Sequence, residues 1–208
     1  MEQVSIVYPM PNDHQNEIDR VNKACYDNCA DIWDRFPFPE AIPKFVQKYY
    51  TPNLGNNVLD VGSGTGILAK WLLDQGFNVL CLDPSSEMVR RCQEKGLRTQ
   101  QGSLQDYRSK DQFGMIFAIL SLIHIPKTAF SSQIKKLADS LSPGGILFLA
   151  MLEGQGEGFF EGQKYPRFLS FYSTDEVKEK IKPFFMQMDY HYAKAGGIGY
   201  MLFVLKKP

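Results

Sequence analysis

Two apolar periods divide the chain. Ile18, Val21, Ala24, Cys25, Cys29 and Ile32 recur three and four apart, which predicts a helix over residues 16–35. Pro37, Pro39 and Pro43 break that pattern, and a second short helix is expected over 41–50. From residue 58 onward, short apolar runs alternate with amphipathic stretches. Val58–Val61, Asn78–Leu82, Arg98–Gln101, Phe113–Leu120 and Ile146–Leu152 read as strands. Gly66–Gln75, Ser85–Lys95 and Lys127–Leu141 read as helices, with Gly76 and Gly96 as stops and Ser85 or Ser86 as an N-cap. Near-continuous apolar strands separated by helices predict a doubly wound, mostly parallel α/β sheet, buried on both faces.

The rhythm changes after Leu152. Residues 153–172 read as a loop rich in glycine and aromatic residues. A helix over Ser173–Ile181 carries the capping-box spacing Ser173…Glu176. Two strands, Phe185–Ala193 and Tyr200–Lys206, meet at the Gly196-Gly197 turn, so the last strand runs antiparallel. That makes a seven-stranded sheet. The expectation is one domain over 1–208, with an N-terminal arm and helical cap over 1–50 and the α/β core over 51–208.

Composition narrows the function. The 208 residues carry 23 Lys+Arg against 23 Asp+Glu, and such a balance argues against a nucleic-acid-coating surface. The apolar run Met115–Ile125 is too short to cross a membrane. No basic segment followed by an apolar one opens the chain, so no secretory signal is expected. Cys25, Cys29, Cys81 and Cys92 lack the paired spacing of a zinc site and read as buried, reduced thiols of a cytoplasmic protein; no metal is expected.

The chemistry concentrates in Val58-Leu-Asp-Val-Gly-Ser-Gly-Thr-Gly66, a strand running through three alternating glycines into a helix. Glycines let backbone approach a ligand closely, and a helix N-terminus offers free N–H groups. Ile67 stands where a dinucleotide fingerprint wants a small residue, which argues against a nicotinamide-dependent oxidoreductase, and no Lys-Ser/Thr closes a phosphate loop. Asp60 before the turn suits a cationic ammonium and repels phosphate. Asp83 ends the next strand, where a carboxylate takes ribose hydroxyls.

VLDVGSGTG followed by that acid resembles the class I S-adenosylmethionine-dependent methyltransferases. Gln101-Gly-Ser-Leu104, Phe113 to His124 and Leu141-Ser-Pro-Gly-Gly-Ile-Leu147 fit the same family's later segments in order. Ser103 and Gly114 stand where that family often has Asp. The resemblance implies a Rossmann-like methyltransferase fold that binds S-adenosyl-L-methionine. It implies that Gly62, Ser63, Gly64 and Gly66 line the methionine part and that Asp60 holds the ammonium. Asp83 would then hold the ribose, with Pro84 and Met88 flanking the adenine. Ser103 and the Leu104 amide would contact the adenine edge, and Ala118 or Ile119 would offer a carbonyl to the ammonium.

Acceptor residues are expected on loops over the carboxyl edge of the sheet. Tyr26, in Tyr26-Asp27…Trp33, is a candidate on the N-terminal helix, where an aromatic face attracts a sulfonium. His124 is a candidate base. Glu153 and Glu157, in the glycine-spaced loop after strand five, are candidates for proton transfer. Phe159, Phe160, Tyr165 and Arg167 follow them as a possible lid. The small cap favours a small-molecule acceptor over a protein, a nucleic acid or a membrane, and leaves the oligomeric state open. A catalytically silent S-adenosylmethionine-binding protein, acting as a sensor or partner subunit, is the alternative.

Overall fold

The computed structural model describes residues 14–35, 41–108, 110–161 and 165–208. The expected arm over 1–15 lies almost wholly outside the described residues, as do Pro37 and Pro39. Two helices come first, α1 (His14–Trp33) and α2 (Ala41–Tyr49). The alternating core follows: β1 (Asn57–Val61), α3 (Ile67–Asp74), β2 (Asn78–Asp83), α4 (Ser86–Glu94), β3 (Arg98–Gln101), β4 (Phe113–Ile119), α5 (Lys127–Ser140) and β5 (Leu141–Glu153). The tail adds β6 (Glu157–Glu161), β7 (Pro166–Ser170), α6 (Thr174–Ile181), β8 (Met186–Ala195) and β9 (Ile198–Lys206).

Seven strands form one sheet in the order β3-β2-β1-β4-β5-β9-β8. Pairing is parallel from β3 through β5. β9 then runs antiparallel to β5 and β8 antiparallel to β9, as the glycine turn between them requires. Alternate residues feed two cores. Leu59, Ile116 and Ala118 pack on one face of the sheet, and Val58, Met115 and Phe117 on the other. Phe117 stacks on Phe148 of the neighbouring strand at 4.5 Å, which fixes the β4–β5 register.

Local chemistry explains the helix ends. Ser85 caps α4 by accepting the Met88 amide, and Ser173 with Glu176 forms the reciprocal capping box on α6. Gly114 sits where the chain crosses the carbonyl of Leu54, and a Cβ there would strike that oxygen. The crossing coincides with a register shift between Phe113 and Met115.

The loop expected over 153–172 is instead largely structured. Within it β6 and β7 pair as a separate antiparallel hairpin. Its alternation was masked by glycine, but Phe159 and Phe168 point to one side and pack with Ile18 of α1. Asn22 of α1 completes the dock, accepting the Phe168 amide at 2.7 Å and donating to the His124 carbonyl at 3.3 Å. Helix and hairpin together make the cap.

Candidate functional site

The glycine turn leaves β1 at the carboxyl edge of the sheet. Gly62 and Ser63 donate to the Leu82 carbonyl at 2.7 and 3.3 Å, so the loop is pinned to β2. Gly62, Gly64 and Gly66 all have positive φ, of 66°, 55° and 80°. They differ in what surrounds them. A Cβ on Gly62 would collide with the Ser121 side chain, and one on Gly66 would come within 2.6 Å of Leu97 and 2.8 Å of the Cys92 sulfur. A Cβ on Gly64 would meet nothing. Two glycines are packed from behind, and the middle one presents its backbone to open space.

Asp60 and Asp83 flank this loop, both more than nine-tenths buried. The Oδ2 of Asp60 has no hydrogen-bond partner, and burial, with the Asp83 charge added, pushes its carboxyl up to about 7. Asp83 accepts the Gly64 amide at Oδ2 and the Ser85 amide at Oδ1, each at 2.9 Å. Burial pushes it up to about 6, even though those amides favour the charged form. Ser121, which the sequence reasoning missed, lies behind Gly62, and its buried Oγ also lacks a partner. A cation aimed at Asp60 and an acceptor at Ser121 would satisfy groups the fold leaves short, and hydroxyls at Asp83 would add to its two amide bonds.

The two expected carbonyls differ in direction. The Leu120 N–H donates to Ala150 of β5 at 3.1 Å. The planar trans peptide therefore aims the Ile119 carbonyl away from β5, toward β1 and the loop. Ala118 is fully buried within the β4–β5 pairing. Met88 is buried in α4 beside the Ser85 cap, and Pro84 is exposed at the rim. Ser103 begins a turn in which its hydroxyl donates to Asp106 at 2.7 Å and accepts the Asp106 amide at 3.3 Å. Leu104 is buried, and its carbonyl accepts from Lys136.

The acceptor candidates separate into two groups. Tyr26 and His124 meet, 98 positions apart, with the phenol oxygen 2.6 Å from Nε2. Nδ1 of His124 lies 2.9 Å from the Phe168 carbonyl, which only accepts, so Nδ1 carries the proton and Nε2 accepts from Tyr26. Burial pushes the imidazole down to about 4 and pushes the phenol well above its usual range; the pair is neutral. The Tyr26 ring lies 5.5 Å from Trp33. Next to it, Asp27 accepts from the Ser85 hydroxyl at 2.7 Å and the Glu87 amide at 3.1 Å, fastening α1 to the α4 N-terminus just past Asp83.

Glu153 and Glu157 are not brought to this cluster as proton carriers. Glu153 is exposed at the end of β5 and accepts the Tyr192 hydroxyl of β8 at 2.7 Å. Glu157 accepts the Lys127 amide at 2.6 Å and the Ser170 hydroxyl at 2.9 Å, so it caps α5 from outside the helix. Pro126 occupies the N-cap position of α5 and has no side-chain acceptor to offer, which is why an acid from the hairpin takes that place. All four cysteines are free and buried, and no metal-binding cluster occurs among the described residues. No described helix is long and apolar enough to cross a membrane.

Comparison with known proteins agrees with this geometry. Residues 58–145, from β1 to the turn inside β5, match the sequence model of a family described as a methyltransferase domain. An uncharacterized methyltransferase of Staphylococcus carnosus is 31% identical over 121 residues, covering 57% of this chain and 56% of that protein. Ubiquinone biosynthesis O-methyltransferase of Escherichia coli is 29% identical over 140 residues, covering 62% and 58%. The chain thus aligns with little more than half the length of these curated relatives. Among solved structures, the Burkholderia thailandensis 1,6-didemethyltoxoflavin-N1-methyltransferase, with 1,6-didemethyltoxoflavin and S-adenosylhomocysteine bound, superposes with a TM-score of 0.74. It is 18% identical, and the superposition covers 97% of this chain and 93% of that one, so the likeness is one of fold. With the glycine turn, the two acids and the strand order in place, residues 58–145 match a methyltransferase domain, and the chain as a whole shares the fold of methyltransferases of known structure.

Proposed function

We propose that the chain transfers the methyl group of S-adenosyl-L-methionine to a small-molecule acceptor in the cytoplasm. The observation that carries the reading is the unpartnered, buried Asp60 Oδ2 beside a glycine loop whose open backbone face is at Gly64. When bound, the cofactor supplies a sulfonium methyl open to in-line displacement. The chain's own residues hold and shield it. Asp60 and the Ile119 carbonyl take the ammonium, Ser121 donates to the carboxylate end, and Gly62, Ser63, Gly64 and Gly66 shape the bed. Asp83 takes the ribose hydroxyls, with Met88, Pro84 and the Leu104 amide around the adenine.

Displacement at a methyl carbon needs alignment and exclusion of water more than it needs a strong base. The cap supplies both. Tyr26 faces the acceptor as a neutral contact, and His124 positions Tyr26, because its one basic nitrogen is already occupied. A small acceptor fits a cap that, among the described residues, is built from α1 and the β6–β7 hairpin. It also fits the relatives, whose names give a ubiquinone precursor pathway and 1,6-didemethyltoxoflavin.

Calorimetry with S-adenosylhomocysteine and with NAD tests the cofactor assignment directly. S-adenosylhomocysteine is expected to bind and NAD is not; the reverse result sinks the reading. Asp83→Ala should weaken S-adenosylhomocysteine by about 1–3 kcal/mol, since it strips acceptors from buried hydroxyl donors. An unchanged dissociation constant would remove Asp83 from the site. Turnover against a metabolite panel then separates an enzyme from a silent cofactor-binding protein.

A further inference from the structure

One charged group at the cap is given no role in the cofactor site proposed above. Arg167 projects from β7, half-buried, with its guanidinium 5.4 Å from the centre of the Trp33 ring. Its charge reaches Tyr26, His124 and Cys25 and acts on the titration of all three. Nearby cations are matched. Lys23 pairs with Asp27, Arg91 with Asp31, Asp34 and Glu87, and Lys95 with Asp34. Among the described residues no carboxylate pairs with Arg167. Tyr26 and His124, its polar neighbours, are neutral.

A half-buried cation without a counter-ion is costly unless something supplies the missing charge. Of its five N–H donors, a guanidinium that leans on the Tyr26 hydroxyl and lies over the indole keeps others for a planar acceptor. The Trp33 and Tyr26 rings beside it offer flat apolar surface. One cation and two aromatic walls match a flat monoanion, whereas a phosphomonoester dianion would ask for a second cation.

We propose that Arg167 is the anion-binding residue of the acceptor site, and that the acceptor class is a planar aromatic carboxylate held by Arg167 against Trp33 and Tyr26. The proposal rests on the methyl-transfer reading above and names the substrate class of that same site.

The test uses the 208-residue chain saturated with S-adenosylhomocysteine. One- and two-ring aromatic carboxylates and their matched carboxamides are titrated by calorimetry. The same titrations on a Trp71→Phe protein, in which Trp33 is the one tryptophan, report by fluorescence where the probes bind. The best carboxylate is expected to bind about tenfold more tightly than its carboxamide, the worth of one charge-assisted contact. It should also quench Trp33. Arg167→Gln should abolish that preference, and Arg167→Lys, which keeps charge without the planar fork, should restore part of it. Equal binding of acid and amide, no binding of any carboxylate at millimolar concentration, or a preference that survives Arg167→Gln would each overturn the proposal while leaving S-adenosylhomocysteine bound. Failure of S-adenosylhomocysteine to bind would instead overturn the methyl-transfer reading on which it rests.

Discussion

The glycine loop and the cap lie on the same edge of the sheet and are built in opposite ways. The loop takes its parts from one stretch of chain, residues 60–88, with Ser121 and Ile119 added from the end of β4. Gly62 and Gly66 are fixed by contacts from behind, and both acids are buried, Asp60 with one oxygen short of a partner. The cap gathers Tyr26 and Trp33 from α1, His124 from the turn after β4 and Arg167 from the hairpin. Tyr26 and His124 satisfy one another, and among the described residues no carboxylate pairs with Arg167. The loop leaves a buried carboxylate oxygen unpartnered, whereas the cap combines a neutral pair with one spare charge.

The comparison breaks most readily at Gly62. Gly62→Ala meets both a left-handed backbone and the Ser121 side chain, so it should cost several kcal/mol, about 1–2 from conformation and about 1–3 from overpacking. Gly64→Ala has the same conformational cost and open space around it, so thermal melts should rank it well above Gly62→Ala in stability. Equal melting temperatures would mean that the loop is not packed from behind.

A smaller effect comes from protons. Asp60 holds its proton up to about 7 in the folded chain, against about 4 in an unfolded one. Between those values the folded state binds more protons than the unfolded state, so the ligand-free protein should lose stability as pH rises through that window. A bound ammonium favours ionised Asp60. S-adenosylhomocysteine should therefore weaken by about tenfold per pH unit below 7, with proton release seen by calorimetry in buffers of different ionisation enthalpy. A flat profile that persists in Asp60→Asn would detach Asp60 from the ammonium. His124 works with the opposite sign. It is held neutral down to about 4, so its contribution to stability is lost as pH falls below about 6.5.

The smallest expected change falls on the acids that the cap uses structurally. Glu157→Ala removes the external cap of α5 and should cost about 1 kcal/mol in stability, leaving S-adenosylhomocysteine affinity unchanged. A large loss of affinity with no loss of stability would return Glu157 to the site.

Much of this was legible before the fold was known. The strand–glycine–helix run and the acid at the end of the second strand are local patterns, and the capping box on α6 lay where its spacing placed it. The bonds of Glu153 to Tyr192 and of Glu157 to the start of α5 were not legible, because acidic residues between glycines look the same whether they meet a substrate, a tyrosine or a helix end. The bond from Ser103 to Asp106 is likewise a matter of turn geometry. The hairpin within 153–172 was hidden because glycine carries no hydrophobic signal, and its aromatic side is recognisable only once α1 supplies Ile18.

The sequence by itself determined the sheet and the glycine turn with its two flanking acids, because periodicity, glycine conformation and the acids at strand ends act over a few residues. Only the tertiary structure decided what the cap does. Whether His124 is a base or a support depends on a carbonyl 44 residues away and a phenol 98 residues away. Whether Arg167 is neutralised depends on every acid that the fold brings near it. Charge pairing and desolvation are set by distance in space, and the order of residues along the chain does not record it.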